Sequence, residues 1–244
     1  MLTICCTLSA CSGYNPKNLA KSDTNLVTDE FIRTTRGLVY ELMVKLYKRN
    51  PQELKRGAGN TVLGRYQQLR DTPGRLSFVE LGKLQELDAL ELVFDPAFQG
   101  DRVFALTVGL GGMLRHAYGY DDEAFLFDKL DPVALETSAR NLEILLWRLK
   151  NERTTEGHPF LVTHRHQGQI DNLSFERLFG KLIALQDMMA AVASDAGNRR
   201  MTKAVHTATS VFIPPPHLGA SLTKSVHNCL AARCASRQIE HGIP

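Results

Sequence analysis

Apolar side chains recur at intervals of three and four residues from Phe31 to Phe212, and this spacing constrains the fold more than any other property of the chain. Leu135, Ala139, Leu142, Leu146 and Leu149 form one run, and Phe175, Leu178, Leu182, Leu185, Met189 and Val192 form another. Such positions share one face of an α-helix, and that face has to be buried against another element. The same reading predicts a helix capped by Thr28, with Asp29 and Glu30 in its first turn and Phe31, Leu38, Leu42 and Leu46 as its stripe, ending by Asn50. Asn50-Pro51-Gln52-Glu53 starts a short helix with a cap, a proline at its first position and a capping glutamate, and Gly57 stops it. Val62 to Arg70 is a further short helix, closed by Asp71-Thr72-Pro73-Gly74. Ser77-Phe78-Val79-Glu80 reads as a capping box ahead of Leu84, Leu87, Leu90 and Val93.

Arg102 to Tyr118 is the most apolar stretch and contains Gly109, Gly111 and Gly112. Asp131-Pro132 and Ser174 open the two long periodic runs. Gly197 is expected to interrupt the second, leaving Met201, Val205, Ala208 and Phe212 on one more helix before Pro214-Pro215-Pro216. Phe160-Leu161-Val162-Thr163 is the only β-like run. The expected fold is therefore all-α, an irregular multi-helix bundle of roughly six to nine helices in a single domain. Residues 1–10 read as a short signal-like segment, 11–25 as a modified cysteine and tether, 26–213 as the helical domain, and 214–244 as a poorly ordered tail.

The chain has 244 residues, 43% of them hydrophobic and 23% charged, which suffices for a sizeable core. The net charge is +3, and Arg33, Arg36, Lys45, Lys48 and Arg49 are interleaved with Asp29, Glu30 and Glu41. A nucleic-acid surface needs Lys and Arg clustered on one face, so no nucleic-acid partner is expected. Of five cysteines, Cys5, Cys6 and Cys11 crowd the start, while Cys229 and Cys234 lie in the tail. No disulfide framework or Cys-x-x-Cys zinc site follows from that placement. Cys229 and Cys234, five apart, could close a small loop in an oxidising compartment but not inside a regular helix, and are read as two free or unstructured thiols.

Leu8-Ser9-Ala10-Cys11 resembles a bacterial lipobox, an apolar residue and two small ones ahead of a cysteine. The apolar residues before it form a miniature signal sequence without its basic region, which is expected to lie upstream of Met1. The resemblance implies that the Cys11 thiol is diacylated, the peptide is cut before it and the new amine is acylated. Two or more chains give stable membrane anchoring without a spanning helix. Ser12, where an aspartate would signal inner-membrane retention, implies the outer membrane. With the lipobox, several segments resemble a group of uncharacterised proteobacterial lipoproteins from about Cys11 to Phe212. They are Tyr40-Glu41-Leu42-Met43, Arg49-Asn50-Pro51, Phe94-Asp95-Pro96, Gly100-Asp101-Arg102, Ser138-Ala139-Arg140-Asn141 and Asn172-Leu173-Ser174-Phe175-Glu176-Arg177. The resemblance implies an envelope location and a helical domain, and transfers no activity.

His164-Arg165-His166 is the best metal candidate, because residues two apart in extended chain project to one side; His158 and Asp171 lie near enough in sequence to complete a set. The surrounding polar segment, Asn151 to Asn172, also reads as a plain surface loop. Gly109-Leu110-Gly111-Gly112 lacks the lysine and the preceding strand of a phosphate loop, and reads instead as close helix packing by Ala105, Gly109 and Gly112. Val103 to Leu114 is too short to span a bilayer. Asp121, Asp122, Glu123, Asp128 and Asp131 form an acidic cluster without EF-hand spacing. Glu136, Glu143 and Glu176 are expected in surface ion pairs with Arg140, Arg148 and Arg177, and Trp147 is expected to pack in the core.

Three functions fit these residues. The first is a non-enzymatic envelope scaffold or adaptor, anchored through lipid on Cys11, with envelope proteins as partners and no cofactor. The second is a periplasmic metal-assisted hydrolase using His164 and His166. The third is a carrier of lipid or another hydrophobic ligand, with the glycine-containing helix lining an apolar cavity.

Overall fold

The computed structural model describes residues 23–57, 61–121, 130–163 and 173–211, with side chains described between Asn25 and Asn198. The chain divides into two compact units, Met1–Ala196 and Gly197–Pro244, and the packing that follows lies within the first. The described residues form seven α-helices and no strand: α1 (Asp23–Arg49), α2 (Pro51–Arg56), α3 (Val62–Arg70), α4 (Glu86–Phe94), α5 (Arg102–Ala117), α6 (Pro132–Asn151) and α7 (Ser174–Val211). The fold is all-α, as the periodicity predicts. The β-like run forms no strand, and an isolated bridge joins Arg153 to Pro159 beside it.

Helix α5 is the core. Every residue from Arg102 to Leu110 is buried, the property of a helix surrounded by others. It packs most extensively on α4, then on α1 and α6. The α4 contact depends on glycine: a β-carbon on Gly109 would fall 2.6 Å from the Glu86 carbonyl oxygen and 2.8 Å from the Leu90 nitrogen. The two backbones therefore touch, as close helix packing requires. Helix α1 runs antiparallel to α5. Arg36, at its midpoint, reaches the Asp121 carbonyl beyond the end of α5, and Tyr47, near its end, donates to the Asp101 carboxylate that caps the start of α5.

Buried charge joins α1, α2, α3 and α5. Arg65 is fully buried, with Nη1 donating to Gln68 at 3.0 Å and Glu80 at 2.6 Å, Nη2 3.3 Å from Asp101, and the guanidinium 3.9 Å over the Phe104 ring. Burial opposes its charge, but Glu80 and Asp101 outweigh burial and hold the guanidinium above its ordinary pKa. Burial pushes the Asp101 carboxyl up, against the pull of the Phe104 N–H, the Tyr47 hydroxyl and Arg65. Breaking one partner of such a set typically costs ~3–5 kcal/mol, because it leaves a buried charge unmatched.

Several sequence expectations change. Helix α1 begins at Asp23 rather than after Thr28, because Asn25, Thr28, Ile32 and Thr35 form a buried stripe at helical spacing that is largely polar. Asn50 makes no capping bond. Its side chain instead accepts from the Val162 N–H at 2.7 Å and donates to the Val162 carbonyl at 3.1 Å, supplying the partner a neighbouring strand would have provided. Glu53 is buried and accepts from the Arg102 N–H rather than closing a box on Asn50. The capping box at Ser77 does not form: Val79–Leu81 is a 3-10 turn ended by left-handed Gly82, Glu80 is taken by Arg65, and α4 starts only at Glu86. Gly197 does not interrupt α7, since one glycine costs a long helix only ~1 kcal/mol. Trp147 is 61% exposed, because α6 packs through Leu135, Ser138, Ala139, Leu142, Leu145 and Leu149.

Candidate ligand pocket

A cavity of about 140 Å³ lies between α1, α3 and α5. Helix α1 contributes Ile32, Thr35, Arg36, Val39 and Tyr40, helix α3 contributes Tyr66, Leu69 and Arg70, and α5 contributes Thr107, Gly111, Leu114 and Arg115. Leu76, Tyr118 and Asp121 complete the wall. Gly111 leaves the α5 side open, since a β-carbon there would meet only the Leu76 methyl, at 3.3 Å. This is a second use of the glycine-rich segment: Gly109 and Gly112 face α4, while Gly111 faces the cavity.

The cavity has two chemically different ends, because α1 and α5 are antiparallel. Val39, Tyr40, Tyr66, Leu76 and Gly111 form the apolar end, where the Tyr40 and Tyr66 rings pack with centroids 4.3 Å apart. Thr35, Arg36, Tyr118 and Asp121 form the polar end. Thr35 and Tyr118 are 3% and 4% exposed, yet the Thr35 Oγ1 and Tyr118 hydroxyl have no hydrogen-bond partner among the described residues. Gln186 reaches the same place from α7, and its Nε2 is equally unsatisfied, while its Oε1 accepts from Ser138 at 3.3 Å. The three groups lie beside one another without closing a bond of normal geometry. A buried polar group without a partner costs ~1–3 kcal/mol, so these hydroxyls have hydrogen-bonding capacity to offer a ligand. Burial pushes the Tyr118 phenol up to about 12, against the pull of Thr35 and Gln186, so it is a neutral O–H donor at physiological pH. By contrast the Thr107 hydroxyl donates to the Val103 carbonyl at 2.7 Å.

Among the described residues, Arg36, Arg70, Arg115 and Asp121 are the charged side chains of the lining. Arg115 holds the end of α3 and the following turn through the carbonyls of Leu69, Thr72 and Gly74, at 2.8, 2.6 and 3.0 Å. Arg70 bonds Asp71 at 2.7 Å.

Beside the polar end, the turn after α5 is fastened from outside. The Tyr120 hydroxyl donates to Glu86, His116 Nδ1 lies 3.0 Å from the same carboxylate, and the His116 and Tyr120 rings stack at 5.4 Å. Glu86 and Tyr120 both have positive φ, 49° and 64°. Non-glycine residues hold that conformation only where the surroundings enforce it. This latch fixes the turn carrying Tyr118 and Asp121, and no sequence spacing announces it.

Of the residues singled out from the sequence, Cys11, His164, His166 and Asp171 lie outside the described residues. The His158 side chain is exposed, and no group of three metal-ligating side chains occurs among the described residues. Asp131 caps α6, while Asp122, Glu123 and Asp128 lie outside the described residues. Glu143 pairs with Arg140 and Glu176 with Lys150 on the surface. No helix among the described residues is long and apolar enough to cross a membrane. Compared with protein-family models, with curated proteins and with solved structures, the chain matches none.

Proposed function

We propose that the helical domain is a non-enzymatic carrier or receptor for a small hydrophobic ligand, held between α1, α3 and α5. The observation that carries this reading is the cavity itself, with largely apolar walls and unsatisfied, fully sequestered hydroxyls at one end. An apolar cavity of ~150 Å³ accommodates a molecule the size of benzene. The test is saturation-transfer NMR of the full chain with toluene, beside a Gly111→Met variant whose side chain fills the space. Saturable binding in the native chain that disappears in a folded Gly111→Met variant is the expected result. Absence of saturable binding, or equal binding in both, overturns the reading.

Leu8-Ser9-Ala10-Cys11 supports a second element, an acyl anchor on Cys11 that would hold the carrier at the periplasmic face of the outer membrane. An intact mass of envelope-fractionated native protein, compared with Cys11→Ser, tests it. Acyl mass present only in the native chain is expected, and an unmodified soluble native protein overturns it.

A further inference from the structure

The two ends of the cavity specify more than hydrophobicity. Thr35 Oγ1 and the Tyr118 hydroxyl converge on one end, each nine-tenths or more buried and each without an acceptor among the described residues. Arg36 lines the same end, one position along α1 from Thr35. Hydroxyl donors beside a guanidinium match a group that only accepts hydrogen bonds and carries negative charge. Among the described residues Asp121 is the one carboxylate in the lining, and it is exposed. The other end is walled by the Tyr40 and Tyr66 rings and Leu76, with the Arg70 guanidinium 5.7 Å over the Tyr66 ring. A volume of about 140 Å³ limits the body seated there to about six to eight non-hydrogen atoms, the scale of benzene in a similar cavity.

Building on the carrier reading, we infer that the ligand is a monocarboxylate with a short apolar body, a medium-chain or aryl-alkyl acid. Its carboxylate accepts from Thr35 and Tyr118 beside Arg36, and its body lies along Gly111 toward Tyr40 and Tyr66. A hydroxyl bonded to a carboxylate is stronger than one bonded to a neutral acceptor, so the acid is favoured over the alcohol of equal length by roughly tenfold or more.

The experiment is calorimetric titration of the full chain with hexanoate, 1-hexanol and hexylamine, repeated on Thr35→Val and Tyr118→Phe. These substitutions remove hydroxyls that close no hydrogen bond of normal geometry among the described residues, so both variants should fold about as stably as the native chain. The expected result is hexanoate tightest by about tenfold or more, with the preference over hexanol shrinking several-fold in each variant and toluene binding retained. Hexanol or hexylamine binding as tightly as hexanoate overturns the inference, and so does a preference that survives both substitutions. If toluene binds while none of the three does, the carboxylate assignment falls and the cavity reading stands. If toluene fails too, the cavity reading falls with it.

Discussion

A β-carbon placed on Gly57 would stand 2.0 Å from Nη2 of Arg65 and 3.4 Å from the Asp101 carboxylate. The backbone at Gly57, with φ −92°, suits any residue, so space alone restricts the position. Arg65 has no room to retreat, being fully buried between Asp101, Glu80 and the Phe104 ring. Gly57→Ala is expected to destabilise the chain by about 1–3 kcal/mol, the usual cost of overfilling a packed interior. Urea unfolding of the variant measures it, and an unchanged midpoint would show that the guanidinium is free to move.

Much of the helical architecture was legible because its buried faces are apolar. The stripe of α6 and the first part of α7 were readable from leucine spacing, and so were the proline start of α2 and the end of α3. What escaped notice was interior structure built from polar residues. Asn25, Thr28 and Thr35 belong to the buried face of α1, but a hydrophobic pattern passes over them. Arg65 and Glu53 are charged, and sequence reading assigns such residues to the surface unless their partners are known. The glycine run reads as close helix packing, and Gly109 and Gly112 do lie against α4, while Gly111 lines the cavity. The residues opposite it, from α1 and α3, come from distant parts of the chain, and no local spacing brings them together. Trp147 misled because an indole among leucines is usually packed.

Two helical glycines should respond in opposite directions. Gly109 faces the backbone of α4, with the Glu86 carbonyl 2.6 Å from where a β-carbon would lie, and backbone cannot swing aside. Gly109→Ala is expected to cost about 3 kcal/mol or more by forcing α4 and α5 apart. Gly180, within α7, has nothing within 4 Å of that position, so Gly180→Ala is expected to stabilise by about 0.5–1 kcal/mol. Thermal unfolding of both variants decides it, and the same sign in both would contradict the packing described for α5.

Alkaline stability reports on Tyr118. Its folded pKa is raised to about 12 by burial, while an unfolded chain releases the proton near ~10. The protonated form favours the fold, so its contribution is fully present below about pH 10 and is lost as pH rises toward 12. For this one group the loss amounts to about 2–3 kcal/mol. Tyr120, raised to about 12 by burial and by Glu86, adds to the same decline. Comparing urea midpoints of the native chain and Tyr118→Phe across that range isolates the contribution. The variant should lose less, and identical slopes would mean that the phenol is not sequestered.

Asn50 joins the end of α1 to Val162, 112 residues further along the chain, through a pair of amide hydrogen bonds. Helices α4 and α5 are neighbours in sequence and can pair early in folding, but the Asn50 contact has to wait until the intervening helices have collapsed. A contact absent from the transition state does little for the rate of assembly and much for the rate of escape. This one side chain is therefore expected to act as a clasp in time as well as in space: Asn50→Ala should speed unfolding more than it slows folding, a split that stopped-flow kinetics in urea measures.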